Sequence, residues 1–381
     1  MSKIDFKIGI GKYNNDINWP FGNSELPNRH VLSLGLSGQG KTYAFQNMLL
    51  EATKNGISSL VFDYSDSYTN DKLDKRFIEL QKDKLNQRYV YLQGVDIDPF
   101  QKHEIVIDSQ RFQERDTDVS DRVCDILAYT LPLTPKQRSD VYRACMRGFN
   151  GNYGSLEQNE YLVDLEFDDS GKITMNLNAV RYFLSLNETD SANAALGKLT
   201  SLADKNIFRK TDNFDWGELI YSEGTVTVIQ LSKFSKQMQK LITEFLLYDL
   251  WFYTNLNGCE SKPFIIVLDE CQNLSYRSTS PASIILTEGR KFGWSAWFAT
   301  QFLGGLFEKD AINRLQQAAL HINFKSTPNE NKRVAKELGD VKWQDILDRL
   351  GKGQCVCKCY VEHINGSLLA PRPVIVDIPR L

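Results

Sequence analysis

Residues Gly35-Leu36-Ser37-Gly38-Gln39-Gly40-Lys41-Thr42 constrain this chain more than any other stretch. They fit the pattern G-x-x-x-x-G-K-[ST] and stand between two segments of different periodicity. Before them, HVLSL is a short apolar run with the length of a buried strand. From Thr42 onward, TYAFQNMLLEATKNG places Phe45, Met48, Leu49 and Ala52 at helical spacing and stops at Gly56. ISSLVFD then reads as a second strand. Strand, glycine-rich loop, helix, strand is a βαβ unit, and such units build parallel sheets. The chain is expected to be α/β.

The residue types in the loop fit one chemistry. Glycines let consecutive N–H groups turn toward a single anion, and the following helix aims its positive end at the same point. Lys41 is spaced to reach the β- and γ-phosphates of a nucleotide, and the Thr42 hydroxyl to ligate Mg²⁺. Ser37, Gln39 and Tyr43 share the loop with Gly35, Gly38 and Gly40 and are expected to touch the nucleotide. ATP and Mg²⁺ are the expected cofactors. LSGQG inside the loop looks like part of an ABC-type signature, but it overlaps the loop itself and has no second copy.

A further strand, Phe264-Ile265-Ile266-Val267-Leu268, ends in Asp269 and Glu270. Ligands gather at that edge of a parallel sheet. Asp269 is expected to hold Mg²⁺ with Thr42, and Glu270 to polarise an attacking water. Leu60-Val61-Phe62-Asp63 ends in the same way without a paired Glu, so Asp63 and Asp66 are expected to line the nucleotide site. Trp297-Phe298-Ala299-Thr300 ends at Gln301, a candidate sensor of the γ-phosphate. Arg290, just before that strand, is expected near the catalytic edge of the sheet, as a finger completing a neighbouring subunit's site; a guanidinium stabilises charge on a transferring phosphoryl group. The candidate catalytic set is Lys41, Glu270, Arg290 and Gln301.

Residues 1–29 read as a strap or short hairpin, 30–110 and 216–381 as the ATPase core, and 111–215 as a mostly helical insertion. Strands are expected at YVYLQG, GTVTVIQLS, SAWFATQ, ALHINFKS, QCVCKCYVE and PVIVDI, with the helix QMQKLITEFLLYDLWFYTNL inside the core. A hydrophobic content of 42% in 381 residues suffices for one large core and an inserted subdomain. The net charge of −3 restricts any nucleic-acid contact to a local patch or an assembled pore. Cysteine spacing gives no disulfide framework, and Cys355, Cys357 and Cys359 alternate onto one strand face as buried thiols. A reduced, cytoplasmic setting is expected. No apolar run reaches the ~18 residues that span a membrane, and the N-terminus has no leader-type apolar core.

GLSGQGKT, VFDYSDSY, Asp98-Pro99-Phe100, GTVTVIQLS, FIIVLDECQNL, EGRKFG and FATQ occur in that order, and the ordered set resembles the HerA/FtsK group of ATPases. The likeness covers nearly all of the chain outside the helical insertion. It implies a RecA-like (ASCE) P-loop NTPase fold, with a central, mostly parallel sheet and a helical insertion. It also implies a Mg-dependent motor that assembles as a homo-oligomeric ring, a hexamer in that group, and moves DNA as a translocase or helicase. Within the group the sequence is most similar to the ATPase module of phosphorothioation-dependent restriction proteins of bacterial defence, which implies other defence or DNA-processing proteins as partners. Three departures stand out. Residues 1–29 are too few for the N-terminal β-barrel of HerA proteins. The D-x-x-G-E-Y pattern reads Asp63-Tyr64-Ser65-Asp66-Ser67-Tyr68, with Ser67 in place of Glu. Cys271-Gln272 follows Glu270 where Ala-His is common. A protein-moving secretion-type ATPase and a nucleotide-gated scaffold with little turnover are the alternatives.

Overall fold

A computed structural model of the chain describes residues 4–80, 82–151, 156–203, 207–208, 215–305 and 307–379. By packing, the chain divides into one unit of Met1–Tyr89, Asp215–Ser232 and Asn257–Leu381, and a second of Val90–Phe214 and Lys233–Leu256.

The first unit is organised by a sheet. Its strands are β1 (Phe6–Gly11), β2 (Asp16–Trp19), β3 (Val31–Leu34), β4 (Ser59–Asp63) and β5 (Leu85–Tyr89). A hairpin of the second unit supplies β6 (Glu104–Ile107) and β7 (Gln110–Gln113). The sheet continues with β8 (Val226–Gln230), β9 (Phe264–Leu268), β10 (Trp294–Thr300), β11 (Leu320–Phe324), β12 (Gln354–Glu362) and β13 (Leu368–Asp377). Their order across the sheet is β2-β1-β13-β12-β11-β3-β10-β9-β4-β8-β5. From β11 to β5 every pairing is parallel; from β11 to β2 every pairing is antiparallel. Strands β3, β4, β8, β9 and β10 are buried at every position, which is why they read as continuous apolar runs. In β12, Cys355, Cys357 and Cys359 are all buried.

Helix α1 (Lys41–Lys54) buries Phe45, Met48, Leu49 and Ala52. The Phe45 ring lies 5.5 Å from Trp297 of β10, Trp297 lies 6.4 Å from Phe6 of β1, and Phe6 stacks on Phe21 at 4.3 Å. The N-terminal hairpin thus shares one aromatic core with α1 and the sheet. YVYLQG is not a strand. β5 lies mostly before it, in the charged stretch, and shares only Tyr89 with it, while Val90–Gln93 is a helical turn. As the edge strand among the described residues, β5 pairs with β8 and carries Asn86, Gln87 and Arg88, so it lacks an apolar pattern.

The second unit is mostly helical, with helices at Asp116–Thr130, Pro135–Phe149, Leu177–Ser185 and Asp190–Ala203. It also takes in most of the Lys236–Asn257 helix, which the sequence reading left with the core. Contacts within the unit account for this. Phe252 of that helix stacks on His103 at 4.3 Å and lies 5.4 Å from the Arg122 guanidinium, and Phe245 meets Phe208 at 5.2 Å. No helix among the described residues is long and apolar enough to cross a membrane.

Arg122 is one of the buried charges of this unit. It pairs with Glu114 at 3.0 Å and donates to the carbonyls of Pro99 (3.1 Å) and Gln101 (2.9 Å). Removing one partner leaves the other charge buried and unpaired. Arg122→Ala is therefore expected to lower unfolding free energy by about 3–5 kcal/mol in urea titration. A loss near zero would mean that the pair is solvated.

Candidate nucleotide site

The parallel strands β3, β10 and β9 deliver their C-terminal ends to one edge. Gly35 leaves β3 where a Cβ would stand 2.5 Å from the Cβ of Phe324 on β11, so only glycine passes without displacing the sheet. Gly40 enters α1 at φ 122°, a conformation side chains rarely adopt. Lys41 Nζ folds back onto the loop, donating to the carbonyls of Gly35 (2.7 Å) and Leu36 (3.2 Å). Burial lowers the Lys41 pKa, while Asp269 and Glu270 oppose that shift.

Asp269 follows β9 and is 6% exposed. Its carboxyl is pushed up to about 6, first by burial and then by Glu270, with Lys41 acting the other way. It accepts from Thr42 Oγ1 at 3.4 Å and from the Glu270 N–H at 3.0 Å. A buried carboxylate beside a hydroxyl, its charge opposed by burial and by a second acid, is a place that a cation stabilises. Oxygen donors suit Mg²⁺. Among the described residues no group of three or more His, Cys, Asp or Glu could hold a metal ion. An ion here would therefore draw its remaining ligands from phosphate and water. The residues fit Mg²⁺ carried in with a nucleotide.

Glu270 takes a left-handed backbone, φ 54°. One of its oxygens accepts from Gln301 Nε2 at 3.3 Å, and the other accepts from Gln272 Nε2. Gln272 Oε1 in turn accepts from Thr300 Oγ1 at 2.9 Å.

A cavity of about 810 Å³ opens over these groups. Ser37, Gly38, Gly40, Lys41, Thr42 and Tyr43 line one side, and Asp269 and Glu270 stand at its base. Ser65 and Ser67 reach it from the loop after β4, and Tyr43 Oη donates to the Asp74 carboxylate at 3.3 Å. Gln46, Lys72, Lys352, Gly353 and Ile378 also line it. The Gly353 N–H donates to the Gln39 carbonyl at 2.9 Å, and the Ile378 N–H to the Gly353 carbonyl at 2.9 Å.

Several expected residues stand elsewhere. Asp63 is fully buried and does not line the cavity; its carboxylate accepts from the N–H groups of Ser65 (3.1 Å), Ser67 (3.0 Å) and Tyr68 (2.8 Å). Three backbone donors make it the cap of the turn after β4, which leaves Ser65 and Ser67 to face the cavity. Asp66 turns to the Ser232 hydroxyl. Arg290 is not near the catalytic edge. It precedes β10, at the opposite end of a seven-residue strand, about 20 Å away at ~3.3 Å per residue. There it pairs with Glu260 at 2.8 Å and donates to the carbonyls of Pro27 (3.2 Å) and Ser24 (3.1 Å). Sequence reading missed Gln272, Thr300, Lys352, Gly353 and Ile378; only the Gly-Lys-Gly turn at 351–353 carries a local signal.

Asp269 supplies a test. Its folded-state pKa lies above its ordinary 3.8. The group therefore contributes stability that is fully present below 3.8 and lost as pH rises through about 6. Asp269→Asn is expected to stabilise the metal-free protein at about pH 8 by roughly 2–3 kcal/mol, a gain that vanishes toward pH 4. Urea titrations at the two pH values measure it, and an equal gain at both would exclude the ionised carboxylate as the cause.

Comparison with known proteins identifies the family and the fold. The family model for the central domain of helicase HerA matches residues 6–250. VirB4 of Thermoanaerobacter pseudethanolicus superposes with a TM-score of 0.68 at 13% identity, covering 98% of this chain and 96% of that one. The bacterial conjugative coupling protein TrwBdeltaN70, unbound, gives 0.61 at 12% identity over 98% of this chain and 89% of that one. The plasmid coupling protein TrwB in complex with ADP and Mg²⁺ gives 0.58 at 14% identity over 93% and 86%. No functionally curated protein sequence matches. With the family model spanning well over half of its length, the chain belongs to the HerA central-domain family and has the fold of a RecA-like P-loop NTPase.

Proposed function

We propose that this chain is a Mg²⁺-dependent ATPase of the HerA/FtsK motor type, acting on DNA as a ring of identical subunits. The observation that carries the hydrolytic part is the convergence of Lys41, Thr42, Asp269 and Glu270 on one cavity. Lys41 would leave the Gly35 and Leu36 carbonyls for the β- and γ-phosphate oxygens, and the loop N–H groups would cradle the same anion. Thr42 and Asp269 would hold Mg²⁺, which when bound neutralises charge on the β- and γ-phosphates. Glu270 takes a proton from water as the water oxygen attacks the γ-phosphorus. The bond from that phosphorus to the β–γ bridging oxygen breaks, giving ADP and inorganic phosphate. Gln301, which rests on Glu270 here, would exchange that contact for the γ-phosphate.

Family membership and the likeness to VirB4 and the coupling protein TrwB support a motor rather than a stand-alone hydrolase. A role in restriction or defence rests on the sequence resemblance. With a net charge of −3, one subunit offers DNA little attraction, and a ring sums small patches. Arg290 cannot serve its own site from the opposite end of β10. In a ring it would serve a neighbour's, after giving up Glu260 and the two carbonyls.

Lys41→Ala is expected to abolish ATP binding. Glu270→Gln should bind ATP normally and hydrolyse it at least about 10²-fold more slowly, because an amide cannot accept the water proton. Binding by a fluorescent ATP analogue and phosphate release separate the two, and normal turnover in either variant would remove that residue from the mechanism.

Assembly has its own test. Turnover should rise with DNA, an effect that weakens steeply as salt increases. It should also rise faster than linearly with protein concentration. Mixing Arg290→Ala with Glu270→Gln should recover activity, since some mixed interfaces pair an intact Glu270 with an intact Arg290. Full, DNA-independent specific activity in a monomer, with no recovery on mixing, would exclude the ring.

A further inference from the structure

Gln272 occupies both ends of its side chain at the catalytic edge. It lies in the short turn Cys271–Asn273, two residues past Glu270. Its Nε2 donates to Glu270 Oε2, and its Oε1 accepts from Thr300 Oγ1 at 2.9 Å. Thr300 is fully buried and ends β10, which is hydrogen-bonded on both sides by β3 and β9. The Thr300 hydroxyl is also within 3.1 Å of the Phe302 carbonyl. Gln272 is therefore held by a fixed point on the neighbouring strand. The other amide on Glu270, from Gln301, reaches the second oxygen at 3.3 Å. The two amides differ in what anchors them, although they touch the same carboxylate.

We propose that Gln272 is a positioning residue for hydrolysis: it ties one oxygen of Glu270 to Thr300, so that the other oxygen faces the attacking water once Gln301 withdraws. This rests on the reading of Glu270 as the group that activates water. Proton transfer requires a base within hydrogen-bond reach of the proton it takes, and a base is commonly oriented by a third group. Glu270 has a left-handed backbone, and its side chain is steered by what it contacts across the strand ends. The chain Thr300–Gln272–Glu270 provides that steering from β10 to β9, and neither Gln272 nor Thr300 lines the cavity.

The test uses the full chain and five forms of it: wild type, Gln272→Ala, Thr300→Val, Thr300→Ser, and the Gln272→Ala/Thr300→Val double variant. Steady-state hydrolysis at saturating Mg·ATP gives kcat, a fluorescent ATP analogue gives Kd, and thermal unfolding reports integrity. Gln272→Ala and Thr300→Val are each expected to lower kcat by about 10–100-fold with Kd changed less than about twofold, because misplacing a reacting group by about 1 Å is worth that much. Thr300→Ser keeps the hydroxyl and should keep most of the activity. The double variant should be no slower than the slower single, since both break one linkage. A kcat-neutral Gln272→Ala in an enzyme that does turn over overturns the positioning role alone. Losses that multiply, or that track lost binding and unfolding, also overturn it. A wild-type chain that binds the analogue and hydrolyses nothing overturns the ATPase reading and this role with it.

Discussion

Hydrogen bonding among three parallel strands decides where chemistry can take place in this fold. β10 runs between β3 and β9, with Thr300 opposite Leu34 on one side and Phe298 opposite Leu268 on the other. That register brings the phosphate loop and the acidic pair out at the same edge with one strand between them. The strand between ends in Thr300, whose hydroxyl is drawn into the network around Glu270. Gly35 is where sheet and loop meet, and the approach of Phe324 fixes the path of the backbone there. The loop is shaped by the packing of β11 as well as by its own glycines.

The same edge concentrates charge that burial opposes. Asp269 and Glu270 stand side by side at the end of an apolar strand, with Lys41 as a counter-charge. Lys41 meanwhile satisfies its own N–H groups on loop carbonyls. Cys271, directly behind the acids, is pushed up to about 12 by burial and stays a neutral thiol. Such local inconsistency is typical of functional sites, where strain or repulsion is tolerated because a ligand relieves it.

What the sequence made legible was local. GLSGQGKT and FIIVLDE each hold strand, turn and chemistry within about ten residues, and the buried parallel strands announce themselves as unbroken apolar runs. β5 escaped notice because an edge strand needs no apolar face. Asp63 resembled Asp269 as the last residue of an apolar strand, and nothing in the sequence tells a carboxylate that caps a turn from one that faces a cavity; three backbone N–H groups decide it. Arg290 was close to β10 in sequence, but it lies before the strand, and strand direction sends it to the far edge. Lys352, Gly353 and Ile378 join the cavity from more than 300 residues beyond the phosphate loop. Pairing at that separation depends on the whole sheet. The Lys236–Asn257 helix likewise groups through Phe245 and Phe252, whose partners lie far back in the chain.

The tether from Gly353 to Gln39, with Ile378 hydrogen-bonded to Gly353 in turn, bears on the order of events during synthesis. Helix α1 can form early, since its own hydrogen bonds are short in sequence, even though β3 waits for β10 and β11. The far wall of the cavity cannot. β13 must first pair with β12, and β1, made hundreds of residues earlier, must wait for β13 before its inner side is paired. Contacts of such long separation form late, because loop closure precedes any gain from the pairing. On a chain made at roughly 5–20 residues per second, the phosphate loop would spend many seconds without the wall that Gly353 and Ile378 provide. A growing chain would accordingly hold nucleotide weakly until β12 and β13 dock, so tight binding would mark a closed cavity.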